Sequence, residues 1–458
     1  MKHLFFTLLS CLLLTPAWSV SLQESLELAK QHNRQLLMAQ EEVGKADQTY
    51  IDVRSNLLPH LTLSGGYQVS RTYLPDSALL PAMDFSLGLD TLATYNDLYL
   101  AGALSSTINS LLPSSPVDEG QLGLALEFQQ VLFMGGKLIN GIRAVDRYRS
   151  IQRLRYQLAD REMRLATTRL FYGCLLAEKL VGVQEQALAT ARLHVQRLES
   201  FQREGLVSEY DLLRGRLEVA KLEPQLLQAQ NSRDLALAAF RQQLGAAGQD
   251  LVPEGEFVLP PELVITLPEA LDQARSQRLE LELADIATQV AQIKWKAEKG
   301  NYLPNVAIQA SASLYTAADG FGIERDDFGT NYSAGIGLSI PIFTGLSNTA
   351  KRRAAQHEYV SAKLQQEDLG ELVALQVQQS YQKLRHAEEN YRVQADNIQL
   401  AERGLQLAQV RYANQVGIQL EVFDAQTMLS AIRLQFFQAV YEVVMARQEL
   451  LQAIGAQF

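Results

Sequence analysis

Four segments of the chain alternate apolar and polar residues with a period of two. In the first, Leu61, Leu63, Tyr67 and Val69 alternate with Thr62, Ser64, Gln68 and Ser70. The pattern returns at Leu122, Leu124, Leu126 and Phe128, at Val306, Ile308, Ala310, Ala312 and Leu314, and at Tyr332, Ala334, Ile336, Leu338 and Ile340. Such alternation predicts strands of a sheet wet on one face. Each run has about ten or eleven residues, the length of a tilted strand crossing a bilayer. Other stretches carry the helical period. From Ala374 through Val377, Tyr381, Leu384, Ala387 and Tyr391 to Ala408 and Tyr412, small and apolar residues recur every three or four positions, as in coiled-coil packing. Residues 137–204 and 347–414 contain no proline and predict helices of about 100 Å each at 1.5 Å per residue. Breaks at Gly205 and near Gly417 then start shorter helices that end at Gly245 and Gly455.

The chain is written twice. A shift of 245 residues aligns Leu22, Glu24, Leu26, Ala29 and Leu36 with Leu267, Glu269, Leu271, Ala274 and Leu281, and a shift of 210 aligns Phe133, Gly135, Arg143 and Ala144 with Phe343, Gly345, Arg353 and Ala354. The difference between the shifts places one insertion in the first copy between Pro59 and Phe133. Each copy predicts a helix (22–56 and 267–301) stopped at Leu-Pro, a β-hairpin, the long helix and a return helix. The two shorter helices, stacked end to end, match the longer one, giving four helical columns per chain. The expected organisation is a leader over 1–19, a first repeat over 20–245, an irregular belt over 246–266 with Pro253, Pro260 and Pro261, and a second repeat over 267–458.

Composition narrows the function. The formal net charge is −10, with 41 basic and 51 acidic side chains and no basic tract, so nucleic acid is not the expected partner. Two cysteines, Cys11 and Cys174, leave no disulfide framework once the leader is removed. Lys2, the apolar run Leu4–Leu14 and the exit Ala17-Trp18-Ser19 predict a secretory signal peptide; lipoprotein processing at Cys11 is the competing reading. Catalytic signatures such as HExxH, GxSxG and the P-loop are missing from the sequence, so no enzyme activity, cofactor or metal is expected. His32, His60, His194, His357 and His386 are expected at solvated helix positions, and Cys174 as a small buried hydrophobe.

Four bilayer-length strands cannot close a sheet, because the smallest membrane barrels have eight. In lipid an open edge leaves backbone groups unsatisfied, so several chains must share one barrel. Tyr67, Tyr73, Phe128, Tyr315 and Tyr332 then stand where interfacial girdles belong; a soluble four-stranded sheet with these aromatics as core is the alternative. The proline-bearing insertion between Arg71 and Gly120 is expected at the cell surface, either as a partial lid or as a decorated loop.

The doubled order of elements, with the junctions NLLP (56–59), NYLP (301–304), VLFMGG (131–136) and PIFTG (341–345), resembles the TolC-like outer membrane efflux protein family. The segment YANQVGIQLEVFDAQ, from Tyr412 to Gln426, is similar to that family's helix-turn-helix tip motif. The resemblance implies a mainly α fold with a membrane β-barrel portion. It further implies a homotrimer with a shared 12-stranded β-barrel in outer membrane lipid, continued by a trimeric α-helical tunnel through the periplasm. Such ducts are passive and dock to an inner-membrane transporter through a periplasmic adaptor protein. A secreted coiled-coil scaffold or tether without a pore is the reading from a different class.

Glu421 and Asp424, three apart, share one face near the start of the last helix. The resemblance matches them to acidic positions at the narrow periplasmic entrance, where threefold repetition makes a carboxylate ring; acids that merely complement the helix dipole are the plainer reading. Tyr412 matches the aromatic of the same periplasmic gate and Asp211 its acid from the first-copy helix pair; a seam tyrosine and a first-turn aspartate are the alternatives. At Gly417 some relatives carry an arginine that ties neighbouring helix pairs together. The resemblance assigns Gly205, Leu206, Val207, Ser208 and Gly417 to adaptor-docking tips; an ordinary helical hairpin turn is the alternative. The cargo, whether drugs, metal ions or polypeptides, is not legible in the sequence.

Overall fold

The computed structural model describes residues 18–72, 103–104, 117–319, 324–414 and 416–456. The body of the expected signal peptide, Cys11, Tyr73 and most of the surface insertion lie outside the described residues.

The first copy runs β1 (Trp18–Val20), α1 (Leu22–His32), α2 (Arg34–Ser55), β2 (His60–Thr72), β3 (Val117–Met134), α3 (Lys137–Arg203) and α4 (Glu209–Gln243). The second follows with β4 (Leu251–Pro253), α5 (Leu267–Gln277), α6 (Leu279–Glu298), β5 (Asn305–Asp319), β6 (Phe328–Ser339), α7 (Ser347–Ala413) and α8 (Gln419–Ala453). The order is the one expected, with α3 and α7 each 67 residues long and α4 and α8 each 35. Pro224 sits inside α4, where it removes one helical donor.

Two compact units draw on both copies. One gathers the described residues up to Lys45, Ser150–Ile286 and those from Lys363 on; the other holds Ala46–Arg149 and Ala287–Ala362.

In the first unit, the single helix expected to open each copy is broken in two. Asn33 takes an extended conformation (φ −68°, ψ 118°) between α1 and α2, and Arg278 does the same (φ −71°, ψ 117°) between α5 and α6. The breaks are held by the ends of the return helices. Asn33 Nδ2 donates to the Gln243 carbonyl at 3.1 Å while its Oδ1 caps α2 by accepting from Gln35 and Leu36 N–H. The Arg278 guanidinium donates to the Ala453 carbonyl at 3.0 Å and also reaches Glu280 and Gln376. The joint with each return helix therefore falls at the break, and α1 and α5 lie to its N-terminal side. Both α1 and α5 begin with a capping box, Ser21–Glu24 and Thr266–Glu269. Backbone hydrogen bonding holds Glu24 and Glu269 below the ordinary carboxylate range.

The belt expected to be irregular contains β4, which pairs in parallel with β1. The expected leader exit overlaps this ladder: Trp18 and Ser19 pair with Leu251 and Val252, and Val20, opposite Pro253, is buried. Cys174 is buried beside Phe171 and Phe240, and burial pushes its thiol up to about 12.

In the second unit the strands form one antiparallel sheet in the order β2-β3-β5-β6, so the two hairpins join through β3 and β5. The strands are longer than the alternation suggested, at 13, 18, 15 and 12 residues. Their register aligns Leu63, Leu126, Ala312 and Tyr332 across one face and Thr62, Glu127, Ser311 and Ser333 across the other. The Ser311 and Ser333 hydroxyls meet at 2.8 Å. Leu61, Leu63, Tyr67, Leu126, Tyr332, Ile336 and Leu338 are all exposed in the single chain, so the apolar face is not the core of a soluble sheet. Outer strands β2 and β6 each pair on one side among the described residues. At the junction to α3, a Cβ on Gly135 (φ +60°) would run into the backbone of Gly300, so this crossing requires glycine.

Candidate functional site: the helical tips

Both tips belong to the first unit. At the first-copy tip, α3 ends in a left-handed Gly205 (φ +75°), with Gly205 N–H bonded to Gln202 and Leu206 N–H to Phe201. This closes the last turn as a Schellman motif and leaves Leu206 exposed. Ser208 then caps α4. Its hydroxyl accepts from Asp211 N–H at 3.1 Å and donates to Asp211 Oδ2 at 2.6 Å. Gly215, one turn further, is buried where a Cβ would lie 2.9 Å from Leu198, so α4 approaches α3 closely there.

The second-copy tip is built differently. Val416 and Gly417 N–H both bond to the Arg411 carbonyl. Ile418 occupies the cap position and supplies no side-chain acceptor. Glu421 is the exact counterpart of Asp211 under the 210-residue shift. Lacking a capping hydroxyl, it pairs with the Arg411 guanidinium, Nε to Oε2 at 3.2 Å. A Cβ at Gly417 would come within 2.9 Å of this carboxylate, so the glycine makes room for the pair. Asp424 is exposed on the same helix.

Tyr412 links the two copies. Its ring packs against His194 of α3 at 6.0 Å, and His194 in turn meets Phe423 of α8 edge-on at 4.8 Å and 87°. Burial and the nearby Asp211 charge raise the Tyr412 phenol above its ordinary pKa. Burial and the Arg197 charge lower the His194 imidazole. Beside this cluster lies a cavity of about 1180 Å³ between the helix pairs, lined by Gln184, Gln225, Gln409, Gln426 and Thr427 among others.

The sequence-derived gate residues Glu421, Asp424, Tyr412 and Asp211 thus come from α8, α7 and α4 at the same two tips. Asp211 also fills its plainer role as a first-turn cap partner, and Glu421 is tied to Arg411. The expectation of a solvated histidine fails at His194, because α8 covers the face of α3 that carries it. Sequence reasoning missed Arg411 and Phe423, although both stand inside or next to the Tyr412–Gln426 segment; a lone residue in a helical pattern does not announce its cross-helix partner. Among the described residues no group of three or more His, Cys, Asp or Glu side chains is placed to hold a metal ion.

Comparison with known proteins gives a consistent result. A family model described as Outer membrane efflux protein matches residues 25–246 and 270–456. The chain is 26% identical over 351 residues to the outer membrane efflux protein BepC of Brucella suis, covering 72% of each. With the outer membrane protein TolC of Vibrio cholerae it shares 21% identity over 445 residues, 96% of this chain and 91% of that one. Its fold is similar to VceC from Vibrio cholerae (TM-score 0.70, 17% identity, covering 95% and 96%) and to the Campylobacter jejuni CmeC outer membrane channel (TM-score 0.72, 14% identity, covering 95% and 85%). Since the family match spans both copies and nearly all the described chain, the protein belongs to the outer membrane efflux protein family, trimeric exit ducts whose barrel stands in the outer membrane and whose helical tunnel stands in the periplasm.

Proposed function

We propose that this duct serves a tripartite efflux or type I secretion machine, docking to a periplasmic adaptor and an inner-membrane transporter through its two tips. The chain has no nucleotide-binding motif, so the driving energy comes from that transporter. Leu206, exposed on a turn locked by Gly205, offers the adaptor an apolar contact. Glu421 and Asp424 form the periplasmic gate: in a trimer they contribute six carboxylates around one axis, a ring that attracts cations and opposes anions.

The observation that supports this best is the pairing of Glu421 with Arg411 while Asp424 is exposed. The arginine offsets part of the Glu421 charge, so Asp424 dominates the field at the entrance. In planar bilayers, Asp424→Asn is expected to relieve divalent-cation block of single-channel current more than Glu421→Gln, and the double variant to abolish it. Unchanged block in the double variant would remove the gate reading.

A further inference from the structure

The two copies differ at one tip position in a way the duct function does not explain. His194 of α3 corresponds to Gly404 of α7 under the 210-residue shift. On the surrounding face of α3, Ala187, Ala191 and Leu198 are buried. Into it the chain places an imidazole whose Nε2 is buried without a hydrogen-bond partner. An apolar ring in that place avoids the cost of an unsatisfied polar atom. What histidine adds is the ability to take up a proton as the pH falls.

We propose that His194 is the positioning residue of the tip: its neutral ring clamps Tyr412 and Phe423 to α3, and protonation turns it into the adjoining cavity, freeing the segment that carries Glu421 and Asp424. The inference rests on the gate reading of those two acids.

The contacts set the direction. His194 touches the last turn of α7 through Tyr412 and the first turns of α8 through Phe423, the two ends that flank the Arg411–Glu421 pair. A proton on the ring puts a second positive charge beside Arg197 of its own helix, and the imidazole is already held below its ordinary pKa by burial and that arginine. Among the residues lining the cavity the other ionisable groups are Glu218 of α4, Arg197 and Tyr412; α8 supplies Phe423, Gln426, Thr427 and Ser430 but no charge. Asp211 of α4 acts on Tyr412. The cavity therefore holds room for a charged ring, and on its α4 wall the Glu218 carboxylate, paired with Lys221 of the same helix at 3.5 Å, is the acidic group among the lining residues.

The test is hydrogen exchange of residues 419–428 in the detergent-solubilised full-length protein at pH 7.5 and 5.5, corrected for intrinsic exchange. Between pH 7.5 and 5.5 the opening of this segment is expected to grow by at most about tenfold in total, because pH 5.5 lies about one unit below the pKa of a freed imidazole. His194→Gln and His194→Phe, neither of which takes up a proton, should show no rise, with Phe keeping the segment protected at both values. A wild type without the rise, or a His194→Gln variant that retains it, would overturn the proposal. Single-channel conductance of the same proteins separates the two readings. A pH-dependent rise in exchange that vanishes in both variants, with conductance unaffected, keeps the clamp and removes the gate.

Discussion

At the residue scale, Gly245 and Gly455 perform one task at matched positions. Each ends a return helix in the left-handed conformation, at φ +70° and +78°, and each lies against the backbone of the helix that opens its own copy. A Cβ on Gly455 would stand 2.6 Å from the Gln277 carbonyl oxygen, and one on Gly245 would stand 2.7 Å from that of His32. Gly455→Ala is therefore expected to cost more than the ~1–2 kcal/mol of an ordinary left-handed alanine, because the α5 terminus must also shift. Thermal unfolding followed by circular dichroism checks this: a melting temperature equal to wild type would mean that the joint yields freely. The sequence marks both glycines as helix stops. It says nothing of the carbonyl waiting behind them, since a backbone approach from more than a hundred residues away leaves no pattern in composition or spacing. The same blindness hid His194, whose ring contacts come from α7 and α8.

At the element scale, the strands, long helices and return helices were legible because each carries a long periodic signal or a strong stop. The breaks at Asn33 and Arg278 were not. Helical period runs through both, and the two positions share no chemistry although they occupy the same place in the repeat. Asparagine accepts two amide hydrogens and donates to one carbonyl, while arginine sends a guanidinium to the equivalent carbonyl from a longer stem. Comparing identities between copies passes over such a substitution of means. Arg278→Ala is expected to destabilise the protein by about 1.5–3 kcal/mol, the range for hydrogen bonds to a charged group, since its side chain is only 11% exposed and has three partners. Arg278→Asn should recover part of the loss by adopting the first-copy solution. Equilibrium denaturation of the two variants decides the point, and equal stability of Ala and Asn would show that capping at this break is not transferable.

At the scale of the whole molecule, one chain leaves two kinds of surface unfinished. Among the described residues the sheet pairs its outer strands β2 and β6 on one side each, with an exposed apolar face between them. The return helix α4 presents a second apolar stripe. Its inner face buries Leu212 and Gly215, yet Tyr210, Leu213, Leu217 and Leu227 stand exposed on the other side at coiled-coil spacing. A helix with two apolar stripes needs two neighbours, and α3 is only one of them. Membership in a family of trimers supplies the other, a helix of the next copy, by the same logic that closes the sheet. Leu213→Glu combined with Leu217→Glu is therefore expected to abolish trimers on semi-native gels while leaving the helical content of the single chain unchanged, because neither side chain touches the core of its own protomer. Trimers that survive both charges would mean that this stripe faces outward in the assembly, and the seam between copies would have to run along another helix.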